Sequence, residues 1–383
     1  MIEVSFFTPY GLSQSYPLST KARPEAIPTR TWSLVGPDGT PVTIPNVSAN
    51  ALRARLRRAA GRAILEALQA QSPNAKLDKL NWQLVALMLS GGASMTDYKA
   101  SPETIDLLQN EWLPIYLFGG QFFINQMPGH LRVMPALMVT AASQPAYFGL
   151  RRVQQHLEDI QAECLALPAG DGRSLIQIVR SVKQNDDVLR LDDSGQAVDP
   201  TLVVDPNTRA ALAKQKQKDK AAPAESGDIR QNNIFAYEVA IGSSYWASGF
   251  SLEPNPANPQ MDRYARSLLR YAAEEAFPDQ TTLGGHAAHG IGLADTLLFV
   301  PDDWPDRLAW REWITAYNDQ HPELSLQKAL EPNSPLVQTV EKTNAAKKKD
   351  AARNKAAAAA TTSADSPDSA SPEGEEHDDD HSA

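Results

Sequence analysis

The sequence predicts an α+β fold, on three observations. Segments with strand-like alternation or short apolar runs are interleaved with amphipathic segments of helical period. Both kinds recur along one chain of 383 residues, long enough for one large elaborated domain with its own buried core. That core has to come from packing: the single cysteine, Cys164, excludes an internal disulfide, and no apolar run approaches the roughly 18 residues of a membrane span. The opening MIEVSFF has neither a basic n-region nor a long apolar h-region, so a cytoplasmic protein is expected.

IEVSFF (2–7) is the first strand. A connection with Pro9, Pro17, Pro24 and Pro28 follows, too long to be only a turn, and TWSLV, GPDG and TPVTI then read as a hairpin. Pro45, Asn46, Ser48 and Asn50 mark the start of a long helix in which Leu52, Leu56, Ala60, Ile64 and Leu68 recur on one face. LVALMLS (84–90) is a core segment, and PETIDLLQNEWLPIYLFGGQFF reads as a helix, a proline break and a strand running to Gly119 and Gly120. Residues 130–142 read as a strand, 152–167 as a helix carrying Cys164 in its apolar stripe, and 176–182 as a strand. Between Asp186 and Asn233 the chain turns polar, as a projecting insertion would. Strand character returns over 234–252, a helix over 261–277, a closing strand over LADTLLFV and a last amphipathic helix over 307–320. The Trp310, Trp313 and Tyr317 stripe of that helix reads as core or subunit contact.

Charge is unevenly spread. The formal net charge is −10, but residues 361–383 hold eight acids and no Lys or Arg, which leaves −2 for the rest. Residues 343–383, rich in Lys and Ala and then acidic, cannot bury enough apolar surface to offset their ordering entropy and read as a disordered tail, leaving 1–342 as the folded domain. HDDDH (377–381) belongs to that tail rather than to a metal site. The long helix, by contrast, carries Arg53, Arg55, Arg57, Arg58 and Arg62 with no acid among them. Such a cluster repels itself unless an anion is present, which points to a polyanion, with the helix N-terminus as a further phosphate contact.

The stretch TTLGGHAAHGIGLAD (281–295) holds Gly284, Gly285, Gly290 and Gly292 with His286 and His289. Gly285 and Gly290 have the spacing of the first half of a P-loop, but Ile291 and Gly292 stand where Lys and Ser or Thr are required. A dinucleotide fingerprint needs strand, glycines and helix in that order, whereas here a helix precedes and a strand follows. The two histidines lack a third metal ligand at useful spacing, and no G-x-S-x-G occurs. No metal, cofactor or catalytic constellation is therefore expected. What remains is a loop whose glycines admit close approach of a bulky partner while His side chains donate to phosphates.

LGGHAAHGIGLA resembles the glycine-rich loop of the repeat-associated mysterious proteins (RAMPs), the RNA-binding CRISPR subunits. IPNVSANALRARLRR resembles that superfamily's IPGSSLRGxLR element, YLFGGQF with HLRV its Phe-Gly segment and next strand, and NIFAYEVAIGSSY its strand leading to an AGT turn. These four segments, in family order, make the chain similar to the backbone subunit of a type IV CRISPR effector complex. The resemblance implies a modified RRM-like (ferredoxin-like) palm with inserted fingers and helical elements and a thumb within 186–233. It also implies head-to-tail stacking of copies along a guide RNA, pairing of that guide with a DNA or RNA target, contacts with other effector subunits and an associated helicase, and no membrane partner. Carried onto this chain, the RNA-facing residues are Ser48, Asn50, Arg53, Arg55, Arg57, Arg58, Gly119, Gly120, Gly284, Gly285, His286, His289, Gly290 and Gly292.

Two departures stand out. The helix has three residues more than the family spacing between Pro45 and Leu52, and Ala54 stands where the family has Gly. The alternative function, target-RNA cleavage as in type III relatives, uses an Asp whose counterpart here falls near Arg30 between Thr29 and Thr31; no acid is there, and Glu25 is the nearest. A noncatalytic scaffold is therefore the expectation. Charge reversal at Arg55 and Arg58 should abolish RNA binding in a filter or anisotropy assay, and retained binding would remove the arginine helix from the interface.

Overall fold

The computed structural model describes residues 1–14, 29–35, 39–71, 80–92, 98–162, 175–182, 234–284, 291–338, 341–342 and 347. The proposed thumb within 186–233, Cys164 and Glu25 lie outside the described residues, as does the C-terminal segment from 343 onward apart from residue 347. In chain order come β1 (Ile2–Thr8), the hairpin β2 (Thr31–Val35) and β3 (Pro41–Val47), α1 (Ala49–Gln71), α2 (Trp82–Ser90), β4 (Tyr98–Lys99), α3 (Pro102–Asn110) and α4 (Leu113–Phe118). A small hairpin, β5 (Gly120–Phe122) and β6 (Asn125–Met127), leads to β7 (Leu131–Val133), β8 (Ala136–Met138) and α5 (Arg151–Asp159). The ribbon β9 (Ile176–Val182) and β10 (Ile234–Ala240) precedes β11 (Ser244–Leu252), α6 (Pro259–Ala276), β12 (Gln280–Thr282) and β13 (Leu293–Phe299). Helices α7 (Arg311–Gln320), α8 (Leu326–Leu330) and α9 (Pro335–Gln338) and the two-residue β14 (Glu341–Lys342) close the described chain.

This is a mixed helix and antiparallel-sheet protein. Its main sheet runs β12-β13-β1-β11-β8-β3-β2, with β7 also paired to β11. At its centre lies a β-α-β-β-α-β unit: β1, α1, the β7–β8 pair, β11, α6 and β13, with the fourth strand beside the first and the third between first and second. The β2–β3 hairpin extends one edge through β8, and β12 extends the other.

The alternation of β1 decides what each face holds. Ile2, Val4 and Phe6 are fully buried beneath α1 and α6, opposite Phe250, Ser248 and Trp246 of β11. Phe277 at the end of α6 stacks on Phe250 at 5.6 Å and meets Phe6 edge-on at 5.4 Å. Each such buried side chain contributes about 1.5–3 kcal/mol by removal from water. The indole of Trp246 keeps its donor satisfied there, bonding Thr8 Oγ1 at 2.9 Å and Ser244 Oγ at 3.1 Å.

The other face of β1 carries Glu3, Ser5 and Phe7, and α5 lies across it. Leu150, Val153 and Leu157 pack with Val139, Tyr147 and Ala247 in a second apolar cluster. Contact is close enough that a Cβ on Gly249 would lie 2.7 Å from Leu150. Leu150 offers no side-chain cap to α5, so Glu3 supplies one from the sheet: its Oε2 accepts from the backbone N–H of Arg152 at 2.8 Å and of Val153 at 3.0 Å.

Several elements differ from the sequence-based expectation, among them the helix expected over 152–167, which ends at Asp159. Residues 113–118 form α4 rather than a strand; Pro114 suits a first helical turn, and an apolar run of this length carries no periodicity that separates the two states. The 130–142 strand is two short strands with Met134 and Pro135 between them, where proline cannot supply a ladder N–H. β12 intervenes before the glycine stretch, so the glycines connect two paired strands rather than a helix and a strand. The Trp310, Trp313 and Tyr317 stripe is core: all three are buried, Trp313 Nε1 donates to Glu111 O at 2.8 Å, and Trp112 Nε1 donates to the Tyr317 hydroxyl at 3.0 Å.

Replacing Glu3 by Ala should cost about 2 kcal/mol, because two buried N–H groups lose a charged acceptor. A urea midpoint unchanged from the parent would show that α5 does not depend on this cap.

Candidate nucleic-acid interface

The arginines of α1 leave the helix in two directions, because positions four apart share a stripe while those two apart do not. Leu52, Leu56, Ala60 and Ile64 are buried against the sheet and α6, which turns Arg53 and Arg57 to one side and Arg55 to the other. Arg53 Nη2 donates to Leu131 O at 2.9 Å. Arg57 Nη2 donates to Phe118 O at 2.7 Å and Gly119 O at 2.8 Å, the carbonyls at the C-terminal end of α4, with its guanidinium over the Phe118 ring. Arg55 donates to Thr282 O and, at 3.0 Å, to Thr281 Oγ1, and lies over the Phe277 ring. Arg58 is exposed and makes no hydrogen bond or ion pair among the described residues. Three of the arginines read from sequence as RNA contacts thus tie α1 to the ends of neighbouring elements on either side.

Arg53 and Arg57 line a cleft of ≈ 460 Å³ between α1, the end of α4 and the turn from β6 to β7, where Asn50, Ser90, Gly129 and Arg132 complete the wall. No acid lines it. Burial, and then the charge of Arg53, push the Arg57 guanidinium down to about 10; burial and Arg132 lower Arg53 in the same direction. On the far side of α1, burial and Arg58 lower Arg55. In each case burial is the larger cause and a neighbouring guanidinium adds to it. The Nε atoms of Arg53 and Arg57 are buried with no acceptor. Arg132 meets Glu253 at the rim, but both side chains are largely exposed and the pair is worth little in water. The cleft therefore suits an anion carrying several oxygen acceptors.

Glycines shape both boundaries. Gly119 has φ +68°, and a Cβ there would lie 2.6 Å from Gly129 N; a Cβ on Gly129 would lie 2.1 Å from Gly119 N. The two backbones cross in contact, which accounts for Gly119 by packing alone and adds Gly129, unread in the sequence. Gly120 abuts Leu87, whose Cδ1 would be 2.7 Å from an added Cβ. On the opposite side Gly284 has φ +70° and sits against Ser13 O, 2.1 Å from where a Cβ would be. Leu283 N–H donates to Gly292 O at 2.7 Å, and Gly292 N–H to Gly11 O at 2.8 Å. Both ends of the loop are thereby pinned to the chain leaving β1. Gly285, His286, His289 and Gly290 lie outside the described residues.

Ser48 caps α1: its Oγ accepts from Ala51 N at 3.2 Å and from Gln14 Nε2 at 3.0 Å, while Ser48 N donates to Gln14 Oε1 at 2.7 Å. Asn50 remains exposed at the cleft mouth. The structure also places a carboxylate where the sequence shows none. Glu238 of β10 accepts from Thr29 N at 3.0 Å, across 209 residues, beside Arg30. Among the described residues no three metal-ligating side chains gather, and no helix is long and apolar enough to cross a membrane.

Fold and site together define an α+β protein with a recessed row of guanidinium groups along one flank of α1. No protein-family profile matches the chain, and no curated protein matches it. Among solved structures it is similar to a chain of one titled "Type IV-B CRISPR Complex", at 17% sequence identity and a TM-score of 0.42, covering 80% of this chain and 95% of that one.

Gly129→Ala should cost about 3 kcal/mol or more, since backbone would have to yield to the new methyl. Arg58→Ala should leave the urea midpoint within about 0.5 kcal/mol of the parent yet weaken binding of heparin as a generic polyanion. Unaltered heparin affinity would remove Arg58 from the interface.

Proposed function

We propose that this chain is a guide-RNA-binding backbone subunit of a type IV CRISPR effector complex. Copies line up head to tail along the guide and hold it for pairing with a target nucleic acid. The observation that carries this reading is the two-sided use of α1. Its arginines open a cationic cleft on one flank, anchor the base of the glycine loop on the other, and leave Arg58 between them. Support comes from the order of the central strands, which is that of an RRM-like, ferredoxin-like palm, and from the RAMP-like segments that lie at these same places. The protein would grip sugar and phosphate while sequence is read by base pairing. The β9–β10 ribbon is the stem from which a thumb over 186–233 would project.

The reading is of a noncatalytic subunit. A ribonuclease reading would use Glu25 or Glu238, and Glu238 is engaged with the backbone of Thr29. Guided cleavage of target RNA that disappears in Glu238→Gln or Glu25→Ala would replace this reading with the endonuclease one.

Coexpression with guide RNA should yield ladder-like assemblies with a raised 260/280 nm absorbance ratio and one recoverable RNA. A monomer free of nucleic acid under those conditions would sink the proposal. Binding to unstructured RNA should weaken with salt, and Arg58→Ala should reduce the slope of log affinity against log salt by about 0.7, the loss of one phosphate contact on a single strand.

A further inference from the structure

We infer that the acidic segment 361–383 occupies the arginine cleft when no nucleic acid is bound, so that the chain carries its own competitor for that site. This rests on the RNA reading of the same surface and adds a mode of regulation to it. The cleft presents Arg53, Arg57 and Arg132 with no acid among its lining residues, and two buried Nε donors lack acceptors. A segment of 23 residues with eight acids and no Lys or Arg is its charge complement within the same chain.

Where the described chain ends favours this pairing. β14 pairs with β4, Glu341 opposite Lys99 and Lys342 opposite Tyr98. β4 is in turn bonded to the tip of the β5–β6 hairpin: Ile124 N–H donates to Tyr98 O at 3.3 Å, and Ala100 N–H to Asn125 Oδ1 at 3.2 Å. Gly120 and Met127, at the base of that hairpin, are part of the cleft wall. The C-terminal segment therefore leaves the fold one short hairpin from the cleft. Its first acid, Asp365, comes 23 residues after Lys342. Even wholly helical, 23 residues would span about 35 Å at 1.5 Å per residue, more than a three-residue hairpin spans. A tether of this reach keeps the acids near the cleft at a raised effective concentration. Weak carboxylate–guanidinium contacts suffice at that concentration, and a guide RNA displaces them because it brings more charge along a longer path.

One competitor for the acids is local: Lys347, Lys348, Lys349, Arg353 and Lys355 precede them in the same segment. The experiment separates the two. In the full chain, all eight acids of 361–383 are replaced by their amides, and binding of a labelled uridine 20-mer is compared with the parent at about 50 mM and 500 mM salt. The amide variant should bind about 3- to 10-fold more tightly at low salt, as expected if the parent's cleft is free only a tenth to a third of the time, and the difference should vanish at high salt. A labelled peptide of residues 361–383 should bind the amide variant in trans, several-fold more weakly after Arg132→Ala, and equally well after Lys347, Lys348 and Lys349→Ala. Equal RNA affinity of parent and amide variant, or peptide binding that responds to the lysines and not to Arg132, overturns the inference. Absence of RNA binding by both proteins would instead defeat the guide-RNA reading, while the peptide measurement still decides whether the segment seats on the cleft.

Discussion

The cationic cleft depends on donation from α1 guanidinium groups to backbone carbonyls at the ends of neighbouring elements. A chain that must turn from α4 into β5 exposes the carbonyls of Phe118 and Gly119, and burying them unpaired would cost on the order of a lost hydrogen bond each. Arg57 satisfies both. Arg53 does the same for Leu131 and Arg55 for Thr282. A helix placed across the sheet by Leu52, Leu56 and Ile64 thus becomes the donor to element ends on each side. The consequence is electrostatic. The positive charge used to close these corners stays uncompensated and marks the surface as a place for anions.

The outward face of the sheet is the less accessible surface. That face could in principle take bases on Phe7 and Tyr245, whose rings lie 4.8 Å apart. Helix α5 covers much of this face instead, held by Glu3 and by the apolar cluster around Val153 and Leu157. Asp295, exposed opposite Phe7, adds a negative charge there. Cationic groups and access coincide along α1 and not on the open sheet.

Much of this was legible in the residues, for physical reasons. α1 and α6 are long and bury one face each, which enforces a helical period, and β1 alternates apolar with polar residues although both its faces are covered, so their type and place can be read directly. The Leu113–Phe118 run was misread because every residue in it is buried, and a segment buried all round shows no periodicity. The arginine cluster was legible as an unneutralised charge, but its division of labour was not. Whether Arg55 meets a phosphate or Thr282 depends on what the fold brings opposite. Gly129, Arg132 and Glu238 carried no local signal at all. Their importance comes from the backbone crossing at Gly119, from the cleft wall and from a contact across 209 residues.

The short segment Gly11–Gln14 couples two elements that chain order keeps far apart. Gly11 O accepts from Gly292 N–H at one end of the glycine loop, Ser13 O lies against Gly284 at the other, and the next residue, Gln14, grips Ser48 at the start of α1 through two hydrogen bonds. Loop and helix are therefore set against one another by four consecutive residues, like the jaws of a caliper set at one opening. A displacement of this segment would carry the loop ends and the start of the helix with it.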